Sequence, residues 1–204
     1  MENGTDTYKT LLAPSSEVIL KERKSKFYAY AFPLTSEDQV KEIINTLRKK
    51  HYTANHVCYA WQLGVENPRY RANDDGEPNN SAGMPIYGQI QAYGLTNVLI
   101  AVVRIFGGVK LGIGGLISAY RGSAKMAIEA SDIVTLTLKV AIRITFEYAL
   151  MDKVMRIIKQ YGLEIATQQL EVRCDYSLLV RKQMAPKIIE IFNQTLGVTL
   201  HASN

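Results

Sequence analysis

The chain is expected to fold as α+β in two domains, and three observations point there. Runs with period-2 apolar alternation are interleaved with runs whose apolar residues recur at helical spacing. One strand-like run, VLIAVV at 98–103, is apolar throughout, as a strand buried on both faces would be. After Ser131 the pattern resets and reads β-α-β-β-α-β to the end of the chain. The boundary falls near 131–137, which divides the chain into domains 1–132 and 137–204.

Residues 17–34 (EVILKERKSKFYAYAFPL) read as two strands joined by a basic turn around Lys24. Ser36 is the expected N-cap of the helix that follows, which places Val40, Ile43, Ile44 and Leu47 on one face. That helix begins acidic and ends in Arg48, Lys49 and Lys50, as its dipole favours. HVCYAWQLG at 56–64 is a strand. Residues 66–85 lack periodicity and are rich in turn formers, so they read as a long loop, a feature commonly tied to function. IYGQIQAY is a short helix, and TNVLIAVVRIF a central strand. A glycine-rich turn leads into a helix over 114–130, with Ile117, Tyr120, Ala124 and Ile128 on one face. In the second domain KVAIRITFEY is a strand, and ALMDKVMRIIKQY a helix stopped by Gly162. LEIATQQL and EVRCDYSLLV are strands, RKQMAPKIIEIFNQTL a helix and GVTLHA a last strand, the ferredoxin-like order.

Composition narrows the function classes. The 204 residues are 47% hydrophobic and 21% charged, enough for a real core. Net charge is +5, spread evenly: residues 1–130 carry 15 Lys and Arg against 12 Asp and Glu, the remainder 9 against 7. Such a balance permits nucleic-acid contact without demanding it. The two cysteines, Cys58 and Cys174, are far apart, and no apolar signal core or membrane-length run occurs. A reducing cytoplasm is the expected location, with no membrane partner.

Four patterns are candidates for chemistry. RIFGGVKLGIGGLISAYRG at 104–122 places Gly107, Gly108, Gly112, Gly114 and Gly115 between a strand and a helix. It lacks the lysine of a P-loop and the last glycine of a dinucleotide turn, so no nucleotide cofactor is expected. A glycine-rich turn still presents backbone N–H groups at a helix start, where anions are stabilised, and Arg104, Lys110 and Arg121 surround it. The competing reading is a tight helix–sheet crossing that needs small residues. Asp74, Asp75 and Glu77 in NDDGEP repel one another and favour a cation or a basic partner, or form an ordinary acidic turn. His56 and Cys58 share a strand face, either as part of a metal or Cys–His site or as buried polar residues. KERKSKFYAY and RKKHY interleave cations with rings, as single-stranded RNA binders do and as many solvated edges do. Hydrolase signatures are missing, and Ser81 and Ser118 have no base within reach in sequence.

SKFYAYA, ANHVCYAW, DDGEPNNSAGMPI and RIFGGVKLGIGGLISAY, in that order, resemble the YigZ/Impact family over residues 25–122. The resemblance implies a first domain like ribosomal protein S5 domain 2, also seen in elongation factor G. It implies a ferredoxin-like second domain similar to another part of that factor. It further implies a role in translation control, since eukaryotic relatives restrain the general-control kinase by competing for its activator. Three departures stand out: Ile105 replaces a common tyrosine, Ser118 replaces a common arginine, and Asn79-Asn80-Ser81 replaces Ser-Gly-Thr.

The resulting expectation is a non-enzymatic regulatory protein without cofactor or bound metal. Its binding surface combines His56, Asp74, Asp75, Glu77, Arg104, Lys110, Arg121 and the five glycines. The partner is RNA or the ribosome, through Lys110 and the turn amides, or a basic protein docking on the acidic loop. The alternative is a metal-assisted hydrolase using His56, Asp75 and Glu77.

Overall fold

Arg23 and Lys24 both adopt left-handed backbone (φ 43° and 69°), which makes the two-residue turn of a hairpin between β2 (Val18–Glu22) and β3 (Ser25–Pro33). This is the basic turn expected from the sequence. In the computed structural model, which describes residues 6–201, the hairpin edges a five-stranded sheet. β3 pairs antiparallel with β6 (Val98–Ile105), β6 with β4 (His56–Leu63), and β4 with β5 (Arg69–Asn73). The order is β2-β3-β6-β4-β5, and β6 is buried along nearly its whole length.

Alternation in β6 serves two cores. Leu99, Ala101 and Val103 face α1 (Asp38–Lys50), whose Val40, Ile44 and Leu47 join Trp61 and Leu63 there. Ile100 and Val102 face α2 (Gly83–Ala92) and α3 (Gly112–Glu129), packing with Phe27, Ile86, Tyr120 and Ala124. A separate two-stranded ladder joins β1 (Thr7–Leu11) to β7 (Ile133–Thr137).

After β7 come β8 (Lys139–Glu147), α4 (Met151–Tyr161), β9 (Glu164–Gln169), β10 (Arg173–Arg181), α5 (Ala185–Asn193) and β11 (Val198–His201). Their antiparallel sheet has the order β11-β8-β10-β9. Gly162 takes the left-handed conformation at the end of α4, as its position predicts. One apolar cluster fills this part, with Ile144, Phe146, Leu178, Ile188 and Phe192 fully enclosed. The class is α+β.

The chain divides into two compact units. One is Tyr8–Leu136; the other runs from Thr137 onward and takes in Asp6 and Thr7. Asp6 is nearly buried there, where its carboxylate accepts from the Arg181 guanidinium and from the Gln183 N–H.

Several elements depart from the sequence reading. Ser36 does not cap α1: Glu37 precedes the helix in helical backbone, and Gln39 Oε1 turns back to accept the Thr35 and Ser36 N–H groups. The supposed loop over 66–85 contains β5 and the first turn of α2. Neither reads locally, because RYRAN owes its strand geometry to the ladder with β4 rather than to its own pattern. β1 and β7 are short polar strands that find their partner across the whole unit. α3 starts at Gly112, two residues earlier than periodicity suggests.

Candidate functional site

The loop between β5 and α2 is built by its acidic residues. Asp74 Oδ1 accepts the Ala82 and Gly83 N–H groups at 2.9 and 2.8 Å, and Oδ2 accepts the Asn80 N–H at 2.9 Å. The carboxylate thus caps α2, whose preceding residue, Ala82, cannot. Asp75, at φ 42°, accepts the Val57 N–H at 2.6 Å and pairs with Arg48 of α1 at 2.6 Å. Its carbonyl lies 2.8 Å from His56 Nδ1. A carbonyl only accepts, so the proton of a neutral His56 is on Nδ1. The acidic turn is therefore a set of internal braces rather than an open cluster of carboxylates.

Glu77 goes furthest inward. It is 8% exposed, pairs with Arg104 Nη1 at 2.7 Å and accepts from the Tyr120 hydroxyl at 2.8 Å. Arg104 is 5% exposed, with Nη2 3.5 Å from Ser25 Oγ, and its guanidinium carbon lies 5.5 and 5.4 Å from the ring centroids of Phe27 and Phe106. Its Nε has no hydrogen-bond partner. Cys58, on the same strand face as His56, sits 3.0 Å from the Asp74 carbonyl and 3.3 Å from the Tyr120 hydroxyl. Burial pushes the Cys58 thiol and the Tyr120 phenol well above their ordinary ranges, so both stay protonated at neutral pH. A buried, protonated thiol is a packing residue and not a nucleophile.

The glycine turn has two kinds of glycine. At Gly107 a Cβ would lie 2.1 Å from the Lys24 carbonyl carbon and oxygen, so only glycine lets the turn rest on the β2–β3 hairpin. That contact is the tight crossing foreseen as one reading of the motif. At Gly114 a Cβ would meet open space. No side chain caps the start of α3, and its first turn carries no acidic residue. Its leading N–H groups therefore present positive potential.

Five of the twelve candidates, His56, Glu77, Arg104, Lys110 and Gly112, line one cleft of about 400 Å³. The others go elsewhere. Asp75 borders a depression against α1 with Arg48 and Trp61. Gly115 lines one beside Leu20 and Arg23, and Arg121 lies in another with Asn80 and Met84. Gly108 is a left-handed turn residue (φ 85°). Arg121 thus lies apart from the cleft and does not replace the cation that Ser118 lacks. Nor do His56, Asp75 and Glu77 converge: among the described residues no three metal-ligating side chains gather. Asn55, Phe106 and Tyr120 were missed as site residues. Asn55 Oδ1 accepts the Phe106 N–H at 2.9 Å and orients the cleft wall. The signal was present, since all three lie inside the motifs ANHV, RIFGG and ISAY.

Comparison with known proteins agrees with this geometry. The family model for the Impact N-terminal domain matches residues 23–128, which include every residue lining the cleft. The chain is 32% identical over 142 residues to the Impact family member YvyE of Bacillus subtilis, covering 70% of this chain and 64% of that one, just under two thirds of its length. It is 41% identical over 126 residues to an Impact family member in the pol 5′ region of Thermus thermophilus, covering 61% and 67%. A crystal structure of a hypothetical protein shares the fold, with TM-score 0.73 and 23% identity over 98% of either chain. The protein belongs to the Impact family.

Proposed function

We propose that this Impact-family protein regulates translation by binding RNA, on or off the ribosome, through the cleft at the start of α3. The observation that carries the reading is the charge the cleft presents. α3 opens uncapped beside Lys110, over a floor that includes Arg104. The acidic residues nearby are already used: Asp74 and Asp75 by backbone N–H groups and Arg48, Glu77 by Arg104 and Tyr120. Little negative charge remains for a basic protein to dock on, and phosphate is the natural counterpart of what is left. In this reading the N-terminal unit is of the ribosomal-protein-S5-domain-2 type. The strand order of the C-terminal unit supports a ferredoxin-like fold. Both would operate in the cytoplasm.

The test is retention of ribosomal RNA and of ribosomal subunits on a filter across a salt series, with Lys110→Glu alongside. Saturable binding that weakens with salt and is lost in the variant is the expected result. Absence of binding at every salt concentration would replace RNA with a protein partner.

A further inference from the structure

The cleft is more specific than a basic surface. Much of its wall is apolar: Phe106, Pro78, Leu111, Ile113 and Leu116 line it. Phe106 is 40% exposed although it lies beside a buried guanidinium, so part of its ring is free for a ligand. The anion-binding elements are the uncapped start of an 18-residue helix and Lys110 just before it. A second, independent feature marks the floor. Arg104 is buried, two of its nitrogens are directed at Glu77 and Ser25, and Nε has no acceptor. A buried N–H without an acceptor is costly, and an unmet one in a native structure points to a missing partner.

We infer, resting on the RNA-binding reading above, that the cleft holds one unstacked nucleotide. Its phosphate sits at the start of α3 between Lys110 and Arg104, and its base lies against Phe106. A phosphate oxygen supplies the acceptor that Nε lacks. An aromatic ring beside a phosphate site is how single-stranded RNA is held, whereas duplex RNA offers no free base to stack. Backbone contact alone would leave the apolar wall unused.

The experiment uses the full chain, ¹⁵N-labelled, titrated with 5′-AMP, adenosine and inorganic phosphate. The Arg104 Nε–H resonance is followed together with the Phe106 and Gly112 amides. AMP is expected to shift all three, and adenosine to bind at least about tenfold more weakly. Lys110→Glu should weaken AMP by about tenfold, and Phe106→Ala by about the same, with phosphate binding unchanged in the latter. Both side chains are exposed, so the variants should fold, which circular dichroism checks. Adenosine binding as tightly as AMP, or AMP binding unchanged by Lys110→Glu, would overturn the inference. If the protein retains RNA on the filter but AMP shifts none of these signals, the nucleotide pocket fails and the RNA reading stands. If neither binds, both fail.

Discussion

The two units of this protein have similar element types but place charge differently. In the N-terminal unit an Arg–Glu pair is buried between sheet and helix, with a tyrosine and a cysteine in the same network. In the C-terminal unit the buried cluster is apolar. Its ion pairs Arg143–Asp175 and Lys139–Glu164 lie at the surface, and the Asp6 carboxylate, itself buried, meets an Arg181 side chain that is half exposed. Burying a charge pair seldom adds net stability, and surface pairs contribute little. The difference therefore locates function: the N-terminal unit carries a cost that folding does not require, next to its cleft. The C-terminal unit is organised as a scaffold.

The comparison is broken most directly by removing one partner. Glu77→Ala leaves the Arg104 charge buried and unpaired, and should destabilise the N-terminal unit by about 3–5 kcal/mol. Trp61, the single tryptophan, lies in that unit and reports its urea midpoint by fluorescence. In the C-terminal unit a comparable loss should need an apolar cut, Phe192→Ala, at about 3–5 kcal/mol. Asp175→Ala should leave the amide-exchange protection of β8 and β10 unchanged. Equal sensitivity to Glu77→Ala and Asp175→Ala would remove the distinction drawn here.

Next in size are the glycines. Gly107→Ala forces a Cβ into the Lys24 backbone and should cost about 1–3 kcal/mol. Gly114→Ala fills open space within a helix and should gain up to about 1 kcal/mol. If Gly114→Ala stabilises the fold yet weakens AMP binding, that glycine is kept for close approach by a ligand. If it stabilises without changing binding, the ligand lies elsewhere along the turn.

The smallest effect is with pH. In the N-terminal unit His51 Nε2 lies 2.5 Å from the Tyr30 hydroxyl, which donates to Glu17, and burial holds the His51 pKa below its ordinary value. The unfolded chain takes up this proton first, so stability should fall as pH drops below about 6.5. In the C-terminal unit, hydrogen bonds from Arg181 and Arg143 hold the Asp6 and Asp175 carboxyls below their ordinary values. Their contribution is present above about pH 3.9 and is lost only below it. Amide exchange between pH 7.5 and 5 should therefore loosen the N-terminal unit first. The reverse order, or a His51→Gln variant with the same pH dependence, would exclude His51 as the cause.

The sequence by itself determined the regular elements, because their periods are local. Alternation over a few adjacent residues suffices for β8, β10 and the two-faced β6, and 3.6-residue spacing suffices for α1 and α4. A positive-φ glycine marked the end of α4 just as locally. The tertiary structure alone decided where charge goes. Asp74, Asp75 and Glu77 are near neighbours in sequence, yet one caps α2, one braces α1 to β4, and one descends 27 residues' separation onto Arg104. The same holds for β5, β1 and β7, whose strand character comes from distant partners. Five of the twelve candidate residues meet in the cleft because β4, β6 and α3 bring them there. Period is written in consecutive residues, but the partner of a buried charge is set by which chain segments the packing of the core places side by side.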